Sequence, residues 1–183
     1  QGIAQDYGKA RAWYEKAAAQ DDAQAQYNLG VLYYKGKGVT QDYEQARAWY
    51  EKAAVQDLAP AQCDLGVLYN KGQGVAQDYG QARTWYEKAA TQGLSVAQSN
   101  LGVLYAKGLG VAQDYGQTRT WYEKAAAQGY AQAQYNLGAL YGNGQGVPKN
   151  NAQARLWWEK AAAQTDNKEA QQAAQQALQK IPQ

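Results

Sequence analysis

The apolar residues of this chain recur at steps of three and four, as one face of a helix requires. Between Asp6 and Ala19 they are Tyr7, Ala10, Trp13, Tyr14, Ala17 and Ala18. The same run returns after Asp42, Asp78, Asp114 and Asn150, so that Trp13, Trp49, Trp85, Trp121 and Trp157 follow one another at an unbroken interval of thirty-six residues. A second helical pattern lies between these runs. It carries Leu29-Gly30, Leu65-Gly66, Leu101-Gly102 and Leu137-Gly138, followed by Tyr33, Tyr69, Tyr105 and Tyr141. Glycine pairs before a valine, such as Gly36 and Gly38 or Gly72 and Gly74, separate the first pattern from the second. Self-similarity at this period predicts stacked helix hairpins, none of which buries its apolar face without its neighbours.

The pattern divides one elongated domain into parts. A half repeat over residues 1–22 supplies only a second helix, repeats span 23–58, 59–94, 95–130 and 131–165, and a capping helix lies within 166–183. In the first full repeat the helices are read from about Ala23 to Tyr34 and from about Asp42 to Gln56. The paired glycines predict positive φ at a sharp reversal. Asp42 with Gln45, Asp78 with Gln81, Asp114 with Gln117 and Asn150 with Gln153 read as capping boxes. Pro60 falls in a first helical turn, where its missing amide hydrogen does no harm. In the last segment Asp166 with Glu169 is read as the cap. Beyond it a thin stripe of Ala170, Ala173, Ala174, Ala177 and Leu178 suits the terminal unit of an array. The missing first helix at the amino-terminal end predicts either end-to-end self-association or a further repeat upstream. Gly30, Gly66, Gly102 and Gly138 are read as points of close helix approach, so that a leucine at Gly102 would force a pair apart. The tryptophans are expected in the core between successive pairs, with Trp158 a change of size where Tyr14, Tyr50, Tyr86 and Tyr122 stand.

Composition narrows the function classes more than it selects one. A formal net charge of +2, with both signs interspersed, gives no reason to expect a nucleic-acid or anionic-membrane surface. No run of about 18 apolar residues is present, so no membrane insertion is expected. There is no histidine, which removes the commonest general base and a usual zinc ligand. Ser95 and Ser99 lack a lysine three residues on. No catalytic residue, metal or cofactor is therefore expected. Cys63, the single cysteine, reads as a passive thiol. The glycine pairs follow a helix and no lysine-serine or lysine-threonine step succeeds them, so they are turns and not a phosphate cradle.

The series Leu29-Gly30, Tyr33, Gly36, Gly38-Val39, Asp42, Ala46, Trp49 and Ala53-Ala54 resembles the Sel1-like repeat, a branch of the tetratricopeptide superfamily. The resemblance runs from Asp6 to about Gln164. It implies an all-α, right-handed superhelix of antiparallel helix pairs whose first helices line a concave groove. It also implies an adaptor that holds other proteins and, in many bacterial members, export from the cytoplasm. On that frame the groove positions are Tyr27, Asn28, Val31, Tyr34 and Lys35, then Asp64, Val67, Asn70 and Lys71. Ser99, Asn100, Val103 and Lys107 follow, and then Tyr135, Asn136 and Asn143. Asn28, Asn100 and Asn136 read either as a ladder of amides for an extended peptide or as bridges between neighbouring helices. The expected function is a protein-interaction scaffold for a peptide or partner protein. Cysteine-rich relatives raise cell-wall glycan or β-lactam binding with weak hydrolysis as an alternative, and the near identity of the repeats raises a purely structural array.

Overall fold

Local chemistry sets where each helix starts and stops. The computed structural model describes residues 6–181; residues 1–5 of the half repeat and 182–183 of the terminal segment lie outside the described residues. Among the described residues there are ten helices and no strand: α1 (Tyr7–Ala18), α2 (Ala23–Lys35), α3 (Tyr43–Ala54), α4 (Ala59–Lys71), α5 (Tyr79–Thr91), α6 (Ser95–Lys107), α7 (Tyr115–Ala127), α8 (Ala131–Asn143), α9 (Asn151–Ala163) and α10 (Lys168–Lys180). The side chains of Asp42, Asp78, Asp114 and Asn150 accept from the amides three residues on, at 2.9–3.0 Å. The return half of each capping box does not form. The cap's own amide already donates across the turn to the carbonyl of Tyr33, Tyr69, Tyr105 or Tyr141, which leaves the glutamine nothing to accept from. At the last helix the cap is Asn167, accepting from the Ala170 amide at 3.0 Å, and not Asp166. The α2 helix ends on Gly36 in the left-handed region (φ 63°), as the paired glycines predicted.

Within each pair the helices run antiparallel. The end of α2 meets the start of α3 through the Asp42 amide and the Tyr33 carbonyl at 3.0 Å. The start of α2 meets the end of α3 through Gln56 and Gln26 at 2.9 Å. Gly30 makes this close approach feasible, because a Cβ there would sit 2.5 Å from the ring of Tyr50; Gly66, Gly102 and Gly138 stand likewise under Tyr86, Tyr122 and Trp158. Each ring is packed against the glycine of the facing helix. These three tyrosines and Trp158 are buried, with Tyr50 only 1 % exposed.

The tryptophan series is placed differently from the expectation. Trp49, Trp85, Trp121 and Trp157 are half-buried, and Trp13 is 70 % exposed. They do lie at joints between successive pairs: Trp49 packs on the cluster of Ala18, Ala25 and Leu29, and Trp157 on that of Tyr122, Ala126 and Leu137. Their outer faces are covered by Lys52, Lys88, Lys124 and Lys160, each ammonium 4.1–4.4 Å from its ring centroid. The deep aromatic is the neighbour one residue on, because that residue faces the glycine.

The chain divides into two compact units between Gln92 and Gly93. In the first, α1 to α5 pack in chain order; in the second, α6 to α10 do, and α10 also rests on α8. A polar network unannounced by the hydrophobic pattern ties the helices of each pair together and, at Gln62, one pair to the pair before it. Gln56, Gln92 and Gln128 donate to the buried Gln26, Gln62 and Gln98 at 2.8–2.9 Å. Gln62 in turn donates to the Ala54 carbonyl (3.1 Å) and Asp57 Oδ1 (3.3 Å). Asp21 and Asp57 take the left-handed conformation at the ends of their helices, where Gly93 and Gly129 stand later. At the fourth position Gln164 is extended, and Gln134 Oε1 is left without a partner.

Candidate partner-binding face

The predicted groove residues fall on the first helices α2, α4, α6 and α8, and most keep some exposure. Lys35, Lys71, Lys107 and Asn143 are exposed at the helix ends, while Tyr27, Val31, Tyr34, Val67, Asn70, Asn100, Val103 and Tyr135 are half-buried. Ser99 is a correction in placement: at 2 % exposure it offers a partner nothing. Cys63, at the equivalent position of the preceding repeat, is 3 % exposed, and burial pushes its thiol up to about 12.

Three of the four ladder positions are already engaged. Asp64 accepts from the Tyr27 hydroxyl at 3.1 Å and from the hydroxyl of Tyr50, so it joins α4 to both helices of the preceding pair. Burial raises its carboxyl above the ordinary value, although those two hydroxyls and Lys35 pull it down. Asn136 bonds Tyr122, whose hydroxyl burial pushes up to about 12, and also accepts from Gln132 at 3.1 Å. Asn28 accepts from Gln24 at 3.2 Å. The residues thus serve their own helices and the adjoining tyrosines, with spare capacity at the amide nitrogens of Asn28 and Asn136.

Between a second helix and the following first helix the surface opens into pockets. One of about 190 Å³ is lined by Tyr7, Tyr14, Asn28, Leu32 and Lys35 among others. Another, of about 230 Å³, is lined by Tyr115, Tyr122, Asn136 and Leu140, the same positions three repeat periods on. At the corresponding place on α3 the tyrosines are covered. The ring of Tyr34 meets Tyr43 edge-on at 5.4 Å, and Tyr27 lies 5.6 Å from Tyr50. The position of Tyr34 is held by Asn70, Ala106 and Gly142 in later repeats, and both Ala106 and Gly142 line pockets. These two pockets open where a small residue stands in the place of Tyr34.

A further hollow, of about 380 Å³, opens between α8, α9 and α10. Its lining includes Tyr135 and Asn143 of the predicted face with Gly142 beside them on α8, but also Asn151, Trp158 and Lys180, which a reading confined to first helices misses. The shrinking series Tyr34, Asn70, Ala106, Gly142 was the available signal. Among the described residues no group of three or more histidine, cysteine or acidic side chains could hold a metal, and no helix is long and apolar enough to cross a membrane.

The Sel1 repeat family model matches residues 1–22, 23–57, 59–94, 95–130 and 131–166. A Sel1 repeat protein from Oxalobacter formigenes is 34% identical, with a TM-score of 0.87 over 97% of this chain and 68% of that one. A protective antigen of uropathogenic Escherichia coli displaying an SLR fold is 35% identical, with a TM-score of 0.83 over 94% of this chain. The chain spans only 36% of that antigen's length. Helicobacter pylori cysteine rich protein B shares the fold at 23% identity, with a TM-score of 0.56 over 72% of this chain and 95% of that one. Among curated proteins none matches. Helix pairs packed in chain order, the glycine beneath each buried ring and a family match in every repeat make this an all-α solenoid that belongs to the Sel1 repeat family.

Proposed function

We propose that the chain is a scaffold that takes an extended segment of a partner protein on the first helices of its repeats. Sel1 repeat proteins are in general protein-interaction scaffolds. The observation that carries the reading for this chain is the recurrence of the same pocket, with the same tyrosine pair and asparagine, at Tyr7, Tyr14 and Asn28 and at Tyr115, Tyr122 and Asn136. A pocket that returns at the same position of the repeat suits a side chain of an extended peptide, and the amide group beside it suits the peptide backbone. Half-exposed aromatics supply apolar area at small entropic loss. The lysines at the helix ends favour an acidic segment, while the interspersed charge offers no continuous basic surface for a nucleic acid.

The test is selection of peptides from a displayed random library on the pure chain, followed by titration of the selected peptides, amidated at their carboxyl ends, by fluorescence anisotropy. Asn100→Ala and Tyr135→Ala are expected to weaken binding about tenfold each, with circular dichroism unchanged. Selected peptides that bind both variants as well as the parent chain would overturn the reading, as would a library that yields none.

A further inference from the structure

The pocket lined by α8, α9 and α10 differs from the other two in its size and in the tryptophan of its wall. Its apolar walls are the rings of Trp158 and Tyr135 with Ala173 and Ala177. Gly142 keeps it open, since a Cβ there would stand 3.0 Å from the Trp158 ring. Two cations line it: Lys149, from the loop before α9, and Lys180, the last residue of α10. No acidic residue lines it, and among the described residues neither lysine forms an ion pair. Its volume falls in the range of about 300–1,000 Å³ typical of small-ligand sites.

Two unpaired ammonium groups beside an aromatic wall complement an anion carried on a flat apolar body. Tyr135, Gly142 and Asn143 belong both to this pocket and to the row of first-helix residues on α8, so a segment laid along that row reaches the pocket. We propose that the pocket receives the carboxy-terminal residue of the partner segment, its free carboxylate held by Lys149 and Lys180 and its aromatic or aliphatic side chain against Trp158 and Tyr135. This rests on the scaffold reading above and names the end of the segment that the scaffold recognises. Charge-assisted contacts to a carboxylate are the stronger kind, and a terminal carboxylate distinguishes a chain end from every internal residue.

The probe is fluorescein-labelled Gly-Ser-Gly-Ser-Leu-Phe, made once as the free acid and once as the amide, titrated against the whole chain by anisotropy. The acid is expected to bind about tenfold more tightly than the amide. The double variant Lys149→Gln, Lys180→Gln is expected to abolish that preference while leaving the melting temperature unchanged, because both side chains are exposed. Equal affinity for acid and amide, or a preference that survives in the double variant, would overturn the proposal. So would displacement by inorganic phosphate as effective as that by 3-phenylpropionate, which would mark a general anion site. Binding of 3-phenylpropionate without binding of the peptide acid would overturn it in favour of a small-molecule carboxylate. The amidated library peptides keep the two readings separable. If they bind while the acid shows no preference, the pocket proposal falls and the scaffold stands; if neither they nor the acid bind, both fall.

Discussion

At the scale of single residues, the informative departure from the repeat is Asp64, which stands where Asn28, Asn100 and Asn136 stand in the other repeats. Its carboxyl is raised above 3.8, with burial the largest cause, so burial outweighs the help of Tyr27, Lys35 and Tyr50. A folded value above the unfolded one means that the native state holds the proton more tightly. The group's stabilising contribution is therefore complete below the ordinary carboxylate range and is lost as pH rises through the raised value. At neutral pH the native chain carries a poorly solvated charge that an amide would avoid, while an amide oxygen still accepts from a tyrosine hydroxyl. Asp64→Asn is expected to melt higher than the parent at pH 7, with the gap closing toward pH 3. The difference between two melting curves removes the pH dependence of the other carboxylates, which both proteins share. A variant that melts lower at neutral pH would show that the two hydroxyls and Lys35 outweigh burial. The sequence exposed this residue as a break in an asparagine series. It could not show the break as a bridge, because the partners, Tyr27 and Tyr50, lie on other helices.

At the scale of the helix and its pair, the period predicted every element among the described residues, and the glycine at each crossing predicted the close approach. It did not tell which of two adjacent aromatics is the deep one. Trp85 and Tyr86 are neighbours on α5, and both lie on the side of the alanine stripe. Only the ring of Tyr86 sits over Gly66, where a Cβ would come within 2.7 Å, whereas Trp85 is half-covered and capped by Lys88 at 4.4 Å. Truncating Tyr86 to alanine removes a buried ring and leaves a void under the helix crossing, for an expected loss of about 4 kcal/mol. Trp85→Ala removes a ring that solvent and an ammonium already share, and about 2 kcal/mol is expected. Urea midpoints at unchanged m-value would rank the two, and the reverse order would contradict this account of the pair. The same pair scale explains two features the sequence left hidden. The return bond of each capping box is pre-empted by a carbonyl in the preceding helix, and the buried glutamines at Gln26, Gln62 and Gln98 are satisfied by glutamines thirty residues on. Both depend on groups brought together only when helices pack, and glutamine reads as a surface residue until its partner is known.

At the scale of the whole molecule, a repeat array is held by its interfaces, so an uncovered repeat face is where stability is most readily gained. In the full repeats each tryptophan is half-buried, Trp49 against Ala18, Ala25 and Leu29 of the helices before it. On α1 the equivalent ring, Trp13, is 70 % exposed, with Lys16 over its face at 5.3 Å. The apolar surface that a preceding helix covers elsewhere is here open to solvent. Placing a helix with the sequence of α4 and its following loop immediately before α1 would supply such a cover. Bringing Trp13 to the burial of its counterparts is worth about 2 kcal/mol by area, which for a chain of this size raises the melting temperature by roughly 5 °C. The control is the same extension on a Trp13→Ala chain, where the share of the gain that comes from the ring should vanish. If instead two copies of the chain cover each other at this face, the parent's melting temperature rises with protein concentration, and the extended chain loses that dependence. An extension that leaves the melting curve unmoved at every concentration would mean that the exposed ring marks no interface. The helix pairs would then be stable without the neighbour that their sequence pattern calls for.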